Sequence, residues 1–448
     1  MKTVTYPDYR HSGIGWIGRV PSHWQVKRLK FVSTAVKTGG TPPADGEDYF
    51  DDEGINWYTP GDFNEALRLG KASKKVGREA VALGVVRSFP PGCVLLVGIG
   101  ATLGKVGLAE RECSANQQIN IIAPDASVDA RFLASFLSSC TTQIRLLSHA
   151  STLGIINQER TKQVSCVLPP LDEQRAIVRF LDAKTAEIDG LITKKQRLLE
   201  LLAEQRSALI TKAVTKGLNP NAPLKPSGFT WLGDVPVHWE VKRLDLLNDA
   251  YRPIMYGIVL PGPSVDDGVP IIKGGDVRPD RLTPVTLSKT TFEIDEAHAR
   301  SRVRAGDIVY AIRGSYGDAE IVPAALMGAN LTQDAARIAP IEDVSTTWLL
   351  YALKSEPTRQ QLASRSLGAT IKGVNIRDLK RAMLPVPPAQ EQAAIGQHLA
   401  TLDGWNERLR NAVELHIERL KEMRSTLITA AVTGQIDVRG WEPRKAAA

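Results

Sequence analysis

Two stretches of the chain repeat apolar residues at alternating three- and four-residue steps over about five heptads. In the later stretch Ile395, Leu399, Leu402, Leu409, Val413, Leu420, Met423 and Leu427 fall on one seam, with Asn406 and His416 as polar interruptions. In the earlier one the matching seam holds Ile177, Leu181, Ile188, Leu191, Leu198, Leu202 and Leu209, interrupted by Lys184, Lys195, Gln205 and Lys212. This spacing predicts two long helices that pair as an antiparallel coiled coil. At 1.5 Å per residue, about 45 residues would extend some 65 Å and hold apart whatever lies at either end.

Ahead of each helix the pattern changes. Short apolar runs such as CVLLVGIG, QINIIAP and DIVYAIRG are bounded by Gly, Pro and Asp, which predicts strands. ARFLASFLSSCTTQIRLLS and TTWLLYALKSEPTRQQLAS carry helical spacing. Each body, 33–168 and 248–385, is therefore expected to be a mixed α+β domain. Pro169-Pro170 and Pro387-Pro388 close the bodies, and Glu173-Gln174 and Glu391-Gln392 follow. The segment 217–228, GLNPNAPLKPSG, reads as a helix stop and linker.

The order of parts is repeated because the sequence is repeated. SGIGWIGRVPSHWQVKRLKFV at 12–32 returns as SGFTWLGDVPVHWEVKRLDLL at 227–247, with 12 of 21 positions identical. SALITKAVT at 207–215 returns as STLITAAVT at 425–433, with 7 of 9 identical. Two copies of one unit imply two similar bodies related by an approximate two-fold, suited to a target with two similar halves such as duplex DNA. Trp16, Trp24, Trp231 and Trp239 sit in the repeated opening segments around Pro21 and Pro236, and a packed structural clasp is expected of them rather than base stacking. His23 and His238, which recur beside two of these rings, are expected to make structural hydrogen bonds. Between the bodies Gly61-Asp62 matches Gly275-Asp276, Gly92 matches Gly306, Ala115-Asn116 matches Ala329-Asn330, and Leu153-Gly154 matches Leu367-Gly368, all 214 residues apart.

Composition narrows the class. With 43% hydrophobic and 23% charged residues the chain is a folded globular protein, not a disordered one. Its net charge of +7 suits a polyanionic partner without proving one. No run approaches the roughly 18 apolar residues of a membrane span, so no membrane partner is expected. Cys93, Cys113, Cys140 and Cys166 form no CxxC pair, which argues against a zinc ribbon or a disulfide framework. Together with an N-terminus lacking a secretory apolar core, this makes the cytoplasm the expected location.

Catalytic signatures do not close. VGIGATLGKVG has five residues between Gly98 and Gly104 and Val106 after Lys105, so neither a Walker loop nor a dinucleotide fingerprint is met. None of the Pro-Pro pairs has the Asn or Asp and aromatic neighbours of an adenine methyltransferase. Asp182-Ala183-Lys184 lacks the carboxylate partners of a nuclease, and the histidines form no zinc pair. No catalytic, cofactor or metal residue is assigned.

The opening motif SGxxWxGxVPxHWxVKRL, the junctions LPPLDEQRAI and VPPAQEQAAI, and the closing ALITKAVT and TLITAAVTGQIDVRG resemble the specificity subunit of type I restriction-modification systems. The resemblance spans essentially the whole chain. It implies an α+β fold of two mixed α/β target-recognition domains joined by two long antiparallel coiled-coil helices, with a pseudo-two-fold internal repeat. The boundaries would be a clasp and first recognition domain over 1–168, a central helix over 169–217, a linker, clasp and second recognition domain over 218–385, a C-terminal helix over 386–440 and a tail over 441–448. It also implies that each domain reads one half of a bipartite double-stranded DNA site, while the helices set the spacer and dock two methyltransferase subunits. Two restriction subunits can join such complexes. S-adenosylmethionine, ATP and magnesium would belong to those partners. On the residues alone two alternatives stay open: a diverged single-chain DNA endonuclease, and a coiled-coil interaction scaffold that binds no nucleic acid.

Base reading favours Arg or Lys on guanine and Asn or Gln on adenine, and any cation serves a phosphate. The candidates in the first body are Lys71, Lys74, Lys75, Arg78, Arg87, Lys105, Gln117 and Gln118, with Arg68 in the same charged cluster. In the second they are Lys273, Arg278, Arg281, Lys289, Arg302, Arg304, Arg313, Gln333, Lys372 and Asn375. Each could equally be an ordinary solvated surface charge. Asn116 and Asn330, at matched positions, are expected to be scaffold.

Overall fold

The structure is a computed structural model and describes residues 4–43, 49–64, 66–146, 154–314, 317–364 and 373–442. The chain divides into two units. One comprises residues 1–195 and 415–448, the other 196–414. Each unit thus contains one body, its clasp, and a segment from each of the two long helices.

In the first unit, a four-stranded antiparallel sheet runs in the order Ser33–Thr38, Ile119–Pro124, Cys93–Val97, Val106–Ala109. Beside it lies a three-stranded sheet, Lys74–Val76, Phe50–Tyr58 and Cys113–Ala115, whose last pair is parallel. The second unit repeats the arrangement strand for strand: Met255–Tyr256, Ala335–Ile338, Ile308–Ala311 and Ala319–Ile321 in one sheet. Lys289–Thr290, Val269–Ile272 and Asn330–Leu331 form the other. The predicted body helices each break once, into Ala130–Ser139 and Thr141–Leu146, and into Thr346–Lys354 and Glu356–Ala363. In the second body Pro357 enters the first turn of the new helix, where its missing N–H leaves no bond unmade.

The clasp owes its repetition to one carboxylate. In the first unit Glu173 Oε1 accepts from Tyr6 OH at 2.5 Å and Trp24 Nε1 at 3.0 Å, and Oε2 is 2.9 Å from His23 Nε2. Burial, and then the bond to Glu173, push the Tyr6 hydroxyl far above its ordinary range and keep it neutral. In the second unit Glu391 accepts from Trp239 Nε1 at 2.9 Å and lies 2.6 Å from His238 Nε2. Trp24 and Trp239 are 1% and 0% exposed, which leaves no face for a base. The following glutamine turns the other way. Gln174 accepts from Asp129 N and donates to the Pro169 and Ser127 carbonyls; Gln392 accepts from Ser345 N and donates to the Pro387 carbonyl. Asp129 and Ser345 are the N-caps of the body helices. The Glu-Gln pair therefore ties clasp, body and long helix at a single step of the chain.

The central helix, Leu171–Lys216, and the C-terminal helix, Ala389–Val432, run antiparallel. In the first unit Ile177 and Leu181 share a core with Ala431 and Val432, and Arg424 Nε donates to Asp189 Oδ1 at 2.9 Å. In the second Ile210, Ala213 and Val214 share a core with Ile395 and Leu399. There Arg206 makes a two-pronged pair with Asp403 at 2.6 and 2.7 Å, and Tyr351 OH donates to the same carboxylate at 3.0 Å. The seam differs from the heptad reading in four places, because Leu191, Leu209, Leu409 and Met423 are exposed. Ile210 and Ile417 turn inward near them. Drift of a seven-residue repeat against 3.6 residues per turn is only about 20° per heptad, and Val413 beyond Leu409 on the same seam is buried, so the exposure is local to these positions.

All four cysteines lie in the first unit and are buried. Burial pushes the Cys93 thiol up to about 11 and Cys113 to about 12.

Glu173→Ala strands three donors at once and is expected to cost about 3 kcal/mol. Glu391→Ala should cost clearly less, because its side chain is 42% exposed against 6% for Glu173. Urea midpoints of the two variants test this, and equal losses would contradict it.

Candidate nucleic-acid interface

In each body the strand ends converge on one turn. In the first, Asn116 N donates to the Tyr58 carbonyl at 2.9 Å, Gly40 N to Ala115 at 2.8 Å, Gly39 N to Ile119 at 3.0 Å and Gly98 N to Gln118 at 2.7 Å. In the second, Thr332 N donates to Ile272 at 3.0 Å, Ile258 N to Leu331 at 2.7 Å and Ile312 N to Asp334 at 2.9 Å. The approach is so close that a Cβ on Gly39 would stand 2.2 Å from the Ala115 oxygen, and one on Gly257 2.0 Å from the Leu331 oxygen. Only glycine fits there.

These bonds fix the correspondence between the copies and correct one expected match. Asn116 answers to Thr332, Gln117 to Gln333 and Gln118 to Asp334, whereas Asn330 answers to Ser114. The offset there is 216, not 214, because the second body holds two more residues between Gly306 and Ala329 than the first holds between Gly92 and Cys113. The two asparagines are thus not equivalent. Asn330 is fully buried, donates to Asp295 Oδ1 at 2.7 Å and accepts from Ser301 Oγ at 2.7 Å, so it is scaffold. Asn116 is half-buried and shapes the turn, accepting from Gln118 N at 3.0 Å.

The turn tips carry side chains able to read bases. Gln117 and Gln118 are exposed, with the Thr41 hydroxyl against Gln117 and Asn116 Nδ2 donating to Gln118 at 3.0 Å. At the second tip Arg313 is exposed and donates to Gln333 Oε1 at 2.9 Å. Arg313 also bridges to Gly373, and Gly274, next to Lys273, lies against the Arg313 and Asp334 carbonyls. Asn375 caps the short helix Ile376–Lys380, accepting from Arg377 N at 2.9 Å. Lys372 lies outside the described residues. The structure thus gathers Lys273, Arg313, Gln333 and Asn375 in one body, and Gln117 with Gln118 in the other.

The remaining candidates lie elsewhere. Lys74 and Lys75 are on the outer strand of the three-stranded sheet, as Lys289 is in the other body. Lys74 covers the Phe50 ring at 5.0 Å, Lys75 reaches the Asp52 carbonyl, and Lys289 donates to the Asp266 carbonyl at 2.9 Å. Lys105 donates to the Phe63 carbonyl at 3.2 Å. Arg78 faces Glu112 at 3.7 Å and Arg278 faces Asp318 at 3.6 Å. Arg68 and Arg131 share Glu110 and Asp182, which fastens the first body to the central helix. Arg302 is held by Asp295 and Glu296. Lys71, Arg87, Arg281 and Arg304 are exposed. Sequence reasoning passed over Arg252, Arg300 and Arg337, which line a cavity with Arg302 and Arg304. The alternating arginines of ARSRVRAGD were the available signal.

Among the described residues no group of three or more His, Cys, Asp or Glu could hold a metal ion, and no helix is long and apolar enough to cross a membrane.

Asn330→Ala leaves the buried Asp295 and Ser301 short of a partner, with an expected loss of about 2 to 3 kcal/mol. Thr332→Ala, at the position answering to Asn116, should cost less than half as much. Thermal unfolding of both variants decides between scaffold and reader for Asn330.

Comparison with known proteins gives a consistent result. The family described as type I restriction modification DNA specificity domain matches residues 21–201 and 266–419. A putative type I restriction enzyme MjaX specificity subunit from Methanocaldococcus jannaschii is 28% identical over 441 residues, covering 94% of this chain and 96% of the relative. The type I restriction enzyme EcoBI specificity subunit from Escherichia coli is 25% identical over 350 residues, covering 76% and 73%. A chain from a solved structure of the type I R-M system superposes with a TM-score of 0.65 at 17% identity, over 92% of this chain and 98% of that one, which shows a shared fold.

Proposed function

We infer, from the fact that this chain belongs to the type I restriction modification DNA specificity family, that it is the sequence-reading subunit of such a complex and that each body reads one half of a bipartite duplex site. The observation that carries this is a shared frame with unlike tips. The same strands, the same glycine approach and the same turn present Ile99, Gln117 and Gln118 in one body and Arg313, Gln333 and Asp334 in the other. Arginine suits guanine, glutamine suits adenine and aspartate can accept from cytosine in the major groove. Two frames of one design with different donor and acceptor sets suit a target of two unlike halves.

Bond-making and bond-breaking fall to the partners. S-adenosylmethionine, ATP and magnesium are assigned to two methyltransferase subunits and two restriction subunits, and this chain is assigned no catalysis; the cytoplasm is its proposed location. Exposed apolar side chains on the long helices support docking. Trp405 is 67% exposed with Leu409 one turn on, and Leu191, Leu415 and Met423 are exposed as well. Single apolar residues on a surface are ordinary, but a bare tryptophan on a long helix suits a protein partner.

Replacing residues 33–168 with the corresponding body of another family member is expected to change one half of the methylated site and leave the other intact. Mapping methylated adenines in cells carrying the chimera and its partners checks this, and a change in both halves would defeat independent reading.

Both long helices pass through both units. Adding one heptad to each, at facing positions near Leu191 and Leu420, adds about 10 Å, or about three base pairs of spacer. An unchanged spacer in the methylation map would remove the helices from that role.

A further inference from the structure

The second body holds a cavity of about 400 Å³ lined by Arg252, Arg300, Arg302, Arg304 and Arg337, with Tyr251 at its rim. Five guanidiniums meet four carboxylates there, Asp295, Glu296 and Asp307 in direct pairs and Asp249 through its charge on Arg337. Arg252 pairs with Asp307, at 2.7 Å for one of its two bonds, and Arg302 with Asp295 and Glu296. Among the described residues the side chains of Arg300 and Arg304 have no hydrogen bond or ion pair, and both are exposed. Arg337 is 3% exposed. Its terminal nitrogens donate to the Arg300, Arg302 and Pro253 carbonyls at 2.7, 2.8 and 3.2 Å, and its Nε has no partner. Among the described residues no carboxylate bonds to it, and Asp307 and Asp249 act on it only through space. Burial, and then Arg252 beside it, lower this guanidinium from its ordinary value. A buried charge without a bonded counter-ion is costly to keep.

The fold does not require it. Phe89 N donates to the Cys113 carbonyl as Val303 N does to Ala329, each at 2.8 Å. From that match, Arg300, Arg302 and Arg304 stand where the first body has Val86, Ser88 and Pro90. The strand pairings, Ile121 with Leu95 and Arg337 with Val309, put Arg337 where the first body has Ile121. At these four matched positions one copy carries Val86, Ser88, Pro90 and Ile121, with Arg87 the one cation among their neighbours in 86–90, and the other carries four arginines. The difference calls for a ligand that only the second copy takes.

An adjoining cavity of about 390 Å³ shares Met255 and Arg300 and continues to Gly257 and Val259. Ile258, between them, is bonded to the turn bearing Gln333. The two cavities thus follow the strand Met255–Tyr256, from Arg252 and Pro253 at one end to Gly257 and the backbone of the turn bearing Gln333 at the other. A guanidinium fork matches a phosphate's paired oxygens, and Arg300 and Arg304 are the two left free to offer one.

We propose that Arg300, Arg304 and Arg337 form a phosphate-binding cavity, private to the second body, that grips the DNA backbone beside the half-site this body reads. Arg337 is a positioning residue, anchoring the segment that carries the other two. The proposal rests on the DNA-reading function inferred above.

The test uses the full complex with its methyltransferase partners, bound to duplexes carrying the mapped site over a salt series. The double variant Arg300→Gln, Arg304→Gln is expected to bind roughly tenfold more weakly near 0.15 M salt, with a salt slope shallower by about 1.8, the value for two phosphates. Its preference for the correct site over single-base changes should stay the same. Arg300→Lys, Arg304→Lys should keep the slope, since either cation neutralises a phosphate. A neutral methylphosphonate beside the second half-site should weaken wild type and leave the Gln variant unaffected. An unchanged slope in the Gln variant, as an acidic protein ligand would give, overturns the proposal. So does lost base preference, or methylphosphonate sensitivity confined to the first half-site. A wild-type complex that fails to prefer its site would instead sink the DNA-reading function.

Discussion

Everything in either unit hangs on a glutamate and the glutamine after it at the start of a long helix. The carboxylate collects an indole N–H and an imidazole, and in the first unit a phenol too, from a segment about 150 residues earlier in the chain. The amide collects the cap of the body helix and the carbonyl that ends the body. Charge-assisted bonds of this kind are short and directional, so they set an angle as well as a contact. A recognition surface is useful only if its direction relative to the helix is fixed, and this pair fixes it. That explains why opening segment and junction stay alike in both copies while the bodies between them diverge.

Divergence is confined to places where the frame tolerates it. The small and large sheets keep their order, and the glycine that approaches the neighbouring strand stays a glycine. Variation collects at the turn tips and along the edge where Arg300, Arg302 and Arg304 replace Val86, Ser88 and Pro90. A duplicated fold thus supplies its own control: a residue shared at a matched backbone position serves the frame, and one that differs there is free to serve the target.

Sequence made the repeat, the clasp and the two helices plain, because identity and apolar period are local signals. It also exposed the glutamines at the first tip and the Arg313 and Gln333 pair at the second. It failed where two residues were gained between Gly306 and Ala329, since the bodies share too few identities to betray the slip, and Asn330 was paired with the wrong partner. It could not separate cations that reach a nearby carbonyl, such as Lys75, Lys105 and Lys289, from those left bare. That distinction depends on how the chain folds back. For the same reason the arginine cavity was hidden: Arg252, Arg337 and the run from Arg300 to Arg304 meet only in three dimensions.

The distribution of sulfur between the two units has an experimental consequence. Every cysteine belongs to the first unit, shielded and held as a neutral thiol. Alkylating reagents attack the thiolate, so they register that unit only in the moments when it opens, and its partner half stays silent throughout. The chain carries a reporter that distinguishes the breathing of one reader from that of the other without any label being introduced.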